Sequence, residues 1–385
     1  MVWLNTLRLK SNSPDVRRKA LETLDPAGNA RALELLLAGL GDEDAEVRCA
    51  AVNGLERVRD DESMAALIDA LRDPTSTVRE VAAASLARIG DSRAFPHLTY
   101  LLKDSHPSVR AAAAAALRSL GWKPSSGEEQ ALLDVALGHA HAAAFAGQAA
   151  VKALVGELKH DTSFKRRAAA EALEQVDDPR ATQPLLAALS DHDPTVRVSA
   201  IHALSKDSSA DVTLHLRARL RDPESFVRLA AAEVLAKRID PSLAPDFLGL
   251  LTDRNFEVRL SAVQFLGRIR DPEIAQTLLP LLADPDSDVR QAVALALGTI
   301  GEPAAIEALV LALTDEERAV RQSAEMALSR IDPNWVCSEA AQRTASQLEV
   351  ALNDQRGWVR SAASQVLARL HAPNTGAEAF GLQPT

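Results

Sequence analysis

Aromatic residues make up only 3% of this 385-residue chain, with a single Tyr and four Trp, although 47% of it is hydrophobic. That balance excludes a bulky aromatic core and fits Ala and Leu packed between helices. Cysteine is as scarce. Cys49 and Cys337 lie far apart in sequence and make no Cys-x-x-Cys pair, so neither a zinc site nor a redox motif is written here. No stretch reaches 18 charge-free apolar residues, and the opening Met1 to Lys10 lacks the apolar core of a secretory leader. These absences lead us to expect a soluble, cytoplasmic chain with no membrane partner. The formal charge of −10 leaves no basic stripe of the kind that displaces counterions from nucleic acid, so no nucleic-acid partner is expected. A Ser/His/Asp or Cys/His constellation, a Gly-rich phosphate loop and a His-Glu metal motif are likewise missing from the sequence. No catalytic residue, cofactor or metal is therefore expected. His139 and His141 invite a metal reading, but residues two apart on a helix point to different sides, and no nearby Cys or acid completes a set.

What the chain does have is a ruler of arginines: Arg17, Arg48, Arg79, Arg110, Arg166, Arg197, Arg228, Arg259, Arg290, Arg321 and Arg360. Eight of the ten steps between them are 31 residues; the other two are 56 and 39. Each arginine sits in one frame, as in Leu71-Asp73-Val78-Arg79-Leu86: Leu eight before, usually Asp six before, Val one before and Leu seven after. A fixed period in this range signals a stacked repeat array. One period reads as two helices. Asp178-Pro179 caps and starts the first, Leu185, Leu186 and Leu189 line it, and Asp193-Pro194 starts the second, whose inner face carries Val196, Ala200 and Leu204. The same capping device recurs at Asp240-Pro241, Asp271-Pro272, Glu302-Pro303 and Asp332-Pro333. Alanines three places after the arginine (Ala169, Ala200, Ala231, Ala262, Ala324, Ala363) let neighbouring helices approach.

The frame Asp-x-x-x-x-Val-Arg-x-x-Ala-x-x-x-Leu, with the connection Ile-Gly-Asp-x-Arg-Ala at residues 89–94, resembles the short HEAT-like repeats of the type associated with phycobilin lyases. The resemblance covers residues 1–371. It implies an all-α, right-handed α-solenoid of about eleven two-helix repeats whose second helices line the concave side. It also implies that Asp73, Asp104, Asp191, Asp222, Asp253, Asp284 and Asp315 pair with the arginines in a ladder joining consecutive turns. The first unit has Ser11 and the fifth His160 in place of this acid, which marks them as the weak joints.

The expected organisation is repeats 1–4 over residues 1–120, an inserted helix and connection over 121–147, repeats 5–10 over 148–331, an extended eleventh repeat over 332–371 and a mobile tail over 372–385. The insertion reads as an amphipathic helix from Glu128 to Leu137, serving either to change the curvature or as a docking knob. In the eleventh repeat Trp335 is expected to pack on the last unit and lengthen its first helix.

If frame positions −1, +3 and +7 face inward, a 100° step puts −2, +1 and +5 outward. The first two units place polar residues there (Asp15, Arg18, Glu22; Glu46, Cys49, Asn53), and the third and fourth place small or polar ones. From the sixth unit on, large apolar residues enter: Val198, Phe226, Leu229, Leu260, Leu295, Met326 and Trp358, interleaved with His202, Glu233 and Gln264. Contiguous apolar residues on a solvent face mark an interaction surface. The expected function is a non-catalytic scaffold or adaptor that binds a protein partner on the concave face of its C-terminal half. Two alternatives stand beside it. A phycobilin lyase-like subunit would change the absorbance of added bilin, and a DNA-binding HEAT-like protein would retain DNA in a salt-dependent way. The di-iron hydroxylase similar to this family carries His-Glu ligand pairs, and no His-Glu dipeptide occurs here.

Overall fold

Two tight turns and an Asp-Pro or Asp-x start are enough to break each period into a helix pair, and the computed structural model shows such pairs throughout residues 2–25 and 29–371, which it describes. The tail beyond His371 lies outside the described residues, as does the Trp3 side chain. All described regular structure is helical. The chain divides into two compact units, Met1–Leu204 and Ser205–Thr385.

In the first unit the second helices of successive repeats are Pro14–Glu22, Ala45–Leu55, Ser76–Ile89, Pro107–Ser119, Ser163–Val176 and Pro194–Ala203. In the second they are Ser225–Ala236, Phe256–Ile269, Ser287–Ile300, Arg318–Ile331 and Gly357–His371. Four of them start where a side chain caps the first free N–H groups. Asp44 accepts from the N–H groups of Glu46 and Val47, Asp193 from Thr195 and Asn255 from Val258. Within each unit these helices pack mainly on one another in succession and on the first helix of their own pair. Frame positions −1, +3 and +7 are buried as expected except at −1 of the first and fifth repeats, where Val16 is exposed and Lys165 half-buried; Val227, Ala231 and Leu235 are inaccessible, and so are Val258, Ala262 and Leu266. The first helices complete the core with leucines such as Leu36, Leu67 and Leu98.

The first helices begin differently from the sequence expectation. Asp178-Pro179 and Asp240-Pro241 each cap a short 3₁₀ turn, Pro179–Ala181 and Pro241–Leu243, before the α-helix proper. Asp332-Pro333 starts no helix; Asp332 instead ends Arg318–Ile331, and its carboxylate accepts from the Asn334 N–H. The extra residues there do not lengthen one helix. They divide into a turn Trp335–Cys337 and two helices, Glu339–Arg343 and Ala345–Ala351. Trp335 does pack on the last repeat: it is buried, with the Arg369 guanidinium 4.8 Å above its ring.

The alanines at +3 are fully buried, but the tightest glycine contacts fall further along the second helices. A Cβ on Gly267 would stand 2.6 Å from that of Ala296, and one on Gly298 would stand 2.6 Å from the Cα of Ala327. Here glycine is required by backbone proximity between neighbouring repeats.

The 25-residue insertion is a stunted repeat. Gly127–Ala136 takes the place of a first helix. After the left-handed Gly138 (φ 84°), Ala140–Ala144 takes that of a second helix, packed on Ser163–Val176.

Candidate functional site

The arginine ruler is structural in every repeat where its contacts are defined. Arg48 shows the pattern: Nε and Nη2 donate to the two carboxylate oxygens of Asp73, 25 residues on, at 2.8 and 3.0 Å. Its Nη1 donates to the Asp42 and Glu43 carbonyls of its own turn. The acid is used twice as well, since Asp73 Oδ1 also accepts the Thr75 N–H that closes its turn. The fork repeats at Arg17–Asp42, Arg79–Asp104, Arg166–Asp191, Arg228–Asp253, Arg259–Asp284 and Arg290–Asp315. Bidentate guanidinium–carboxylate pairing of this kind fixes register as well as charge.

The electrostatics follow the geometry. The Arg17 hydrogen bond holds the Asp42 carboxyl below the usual carboxylate range despite its burial. Burial pushes Asp73 up, but Arg48, the Thr75 N–H and the neighbouring charges outweigh it and hold that carboxyl low.

The joint at His160, expected to be weak, has a substitute. Arg110 Nη2 pairs with Glu157, which sits one helical turn earlier and is buried. His160 keeps only the local role of the missing acid, its Nδ1 accepting the Thr162 N–H at 3.0 Å. In the first repeat Ser11 acts similarly: its Oγ accepts the Ser13 N–H and its carbonyl accepts from Arg17 Nη1.

A second set of arginines, at frame position +9, was not anticipated. Arg57 donates to the Leu24 carbonyl and Arg268 to that of Ala236, while Arg330 reaches Thr299 Oγ1 and Arg88 and Arg369 clamp Glu56 and Glu325. These five side chains tie the C-terminal ends of their second helices back to the preceding repeat, and cations suit that end of a helix dipole. The shared frame position was the available signal.

With most of both sets engaged in joints, the side chains most open to partners are those at −2 and +5, with those at +1 half-buried between them. In the second unit Phe226 is 45% exposed, Leu295 40% and Met326 56%. Glu233, Gln264 and Trp358 are also exposed, and Leu229 and Leu260 are half-buried between them. Trp358 carries the Arg356 guanidinium 5.1 Å above its ring. Val198 and His202, half-buried, occupy the same frame positions in the first unit. One residue of this kind escaped the sequence reading. Phe164, at −2 of the fifth repeat, is exposed beneath Arg167 at 5.5 Å, and the frame locates it directly. There the stunted repeat leans on the row: His141 Nε2 lies 3.3 Å from Glu171 at +5. His139 stands apart as the residue before helix Ala140–Ala144.

Among the described residues no group of three or more His, Cys, Asp or Glu is placed to hold a metal ion, and no helix is long and apolar enough to cross a membrane.

No curated protein sequence matches the chain. Among solved structures, an engineered protein shares 22% identity over 96% of this chain and 99% of its own, with a TM-score of 0.29. Human deoxyhypusine hydroxylase shares 20% over 83% and 99%, with a TM-score of 0.30. Escherichia coli YibA shares 17% over 84% and 97%, with a TM-score of 0.34. The profile described as HEAT repeats matches residues 3–87, 64–154, 151–236 and 244–329, so that repeat matches follow one another along most of the chain. The 31-residue frame, the stacked helix pairs and these matches agree, and the chain belongs to the HEAT repeat family.

Proposed function

We propose that this HEAT-repeat protein is a non-catalytic scaffold or adaptor whose second unit binds a protein partner. The partner lies along the second-helix row formed by Phe226, Leu229, Glu233, Leu260, Gln264, Leu295, Met326 and Trp358. Val198 and His202 are the counterparts of this row one repeat earlier. The carrying observation is the contrast within single helices: Val227 and Leu235 are fully buried while Phe226, one residue before the first of them, stands open to solvent. Core packing does not require a phenylalanine, a leucine and a methionine at positions that recur on the solvent side of successive repeats. Binding at such a surface does, because large apolar side chains supply most of the affinity of a protein interface. Repeat arrays bind on the concave surface that their stacking creates, and we place the partner there. The interleaved Glu233 and Gln264 give this row its polar selectivity.

The experiment is affinity capture from the cell of origin, comparing the native protein with the double variant Phe226→Ala, Leu260→Ala. The expected result is an unchanged melting curve with loss of the captured protein, by tenfold or more for each anchor worth ~1.4 kcal/mol. A variant that melts like the native protein and captures the same partner to the same extent overturns the proposal.

A further inference from the structure

The ladder has one internal joint in the second unit where an arginine lacks its acid. Arg321 Nη1 donates to the Asp315 and Glu316 carbonyls, as every other frame arginine does to its own turn. Its Nε and Nη2, the pair that elsewhere holds a carboxylate, have no acceptor among the described residues. The acid of the next repeat is Asp354, displaced along the sequence by the eight extra residues of the long step. That carboxylate is spent within its own turn: it accepts from Nε, Nη2 and the backbone N–H of Arg356.

Arg321 lines a cavity of about 320 Å³ with Arg318, Gln322, Glu325, Gln365 and Arg369. Arg369 is neutralised by a two-point clamp on Glu325 at 2.9 and 2.8 Å, while Arg318 and Arg321 form no ion pair among the described residues. Gln322 and Gln365 are frame positions +1 and +5, so the cavity opens on the same row as Met326 and Trp358.

We infer that Arg321 is a carboxylate receptor: a partner segment seated on the row inserts an acidic side chain or its C-terminal carboxylate into this cavity and completes the joint that Asp354 leaves open. Guanidinium selects a carboxylate because its planar fork donates two parallel hydrogen bonds, and here the fork is already oriented by the two carbonyls behind it. The Gln322 and Gln365 amides flank the opening and can donate to the remaining lone pairs. The inference rests on the partner being a protein, as proposed above.

Its test needs no partner. In protein labelled with ¹⁵N-arginine, the Nε–H resonances are followed while three probes are titrated: N-acetyl-aspartate N′-methylamide, N-acetylglycine and inorganic phosphate. The expected result is a saturable shift of the Arg321 resonance by one or both carboxylates, with the Arg259 and Arg290 resonances unmoved. Carboxylate binding, read in parallel by titration calorimetry on both proteins, is lost in Arg321→Lys, which keeps the charge and loses the fork. Preference between the first two probes tells a side chain from a chain terminus. Identical titrations of native protein and Arg321→Lys overturn the inference, as does tighter binding of phosphate than of either carboxylate. A shift of the Arg321 resonance caused by Asp354→Asn without any probe also overturns it, because the two residues would then already be paired. Carboxylate binding that survives while Phe226→Ala, Leu260→Ala leaves partner capture unchanged would sink the apolar row and spare the receptor.

Discussion

Arg290 and Arg321 stand one repeat apart, at the same place in helices that start three residues before them, and half of their contacts are the same. Both point Nη1 at the carbonyls of their own turn. Only Arg290 places Nε and Nη2 on an acid of the next repeat, Asp315, at 2.8 and 3.0 Å. The frame arginine therefore does two separable jobs, pinning its own turn and bolting on the next one. Arg321 retains the first without the second, and it lines a cavity. A repeat array tolerates such a joint because each repeat touches only its neighbours, so the loss is confined to one interface.

The largest effect should come from testing that separation directly. Arg290→Ala leaves Asp315 without its partner in a pair whose side chains are 8% and 10% exposed, at a cost of about 3–5 kcal/mol. Arg321→Ala loses only the bonds to its own turn, a cost of about 1 kcal/mol. Urea unfolding of the two variants reads the difference, and equal losses would show that the carboxylate half contributes nothing.

Acid should separate the two kinds of joint more gently, because a protonated Asp keeps its oxygens in place while losing its charge. In the folded protein Asp42, Asp73, Asp104, Asp191 and Asp253 are all held below the ordinary Asp range. Unfolded Asp titrates near ~3.9. Between those values the unfolded chain binds more protons, so the contribution of these acids is fully present above the unfolded value and lost as pH falls through the folded one. Melting temperature should accordingly hold from neutral pH to about 5 and fall below it. Asp73→Asn should lower stability at pH 7 and flatten the acid side of the profile. Arg321→Gln, at a joint with no acid, should leave the shape of that profile unchanged. A native profile that is flat into the acid range would refute the assignment.

The sequence carried the regular half of this comparison and blurred the irregular half, for physical reasons. The Asp–Arg joints were legible because the acids recur in register with the arginines and the HEAT-like resemblance implies that the two rows pair. The +9 arginines were not, because most of them end on a backbone carbonyl or a neutral group, which leaves no partner residue to notice. Glu157 escaped for a related reason: a longer acid one turn earlier replaces Asp in space but not in register. Positions −2 and +5 are mostly open, as a 100° step from the buried Val227 implies, whereas +1 is half-buried in most repeats and Cys49, expected to face outward there, is buried. The five-residue helix Ala140–Ala144 is too short to show any periodicity, so the insertion read as one helix where the structure has two.

The smallest expected effect lies at the other end of the second helices, where position +11 is left-handed in seven repeats, though not at Asp332, whose φ is −146°. Gly90, Gly121 and Gly301 sit there with φ of 86°, 72° and 82°, but so do Arg59, Asp177, Ile239 and Arg270, with φ between 49° and 60°. Ile239 is the costliest of these, because a β-branched side chain crowds its own backbone in that region by ~1–2 kcal/mol. It is also 60% exposed, so little packing compensates. Ile239→Gly should relieve that strain and give back ~0.5–1 kcal/mol through the added freedom of the unfolded chain, a net gain of roughly 0.5–1 kcal/mol. The reverse change at a regular repeat, Gly301→Ile, should lose about 1–2 kcal/mol. Paired melts of the two variants decide it. Gains and losses of opposite sign mean that the turn imposes its left-handed conformation on residues as different as Gly301 and Ile239, as the frame arginine imposes its local contacts even where the acid is missing. A loss of stability in Ile239→Gly would mean that the isoleucine contributes contacts worth more than the strain it bears.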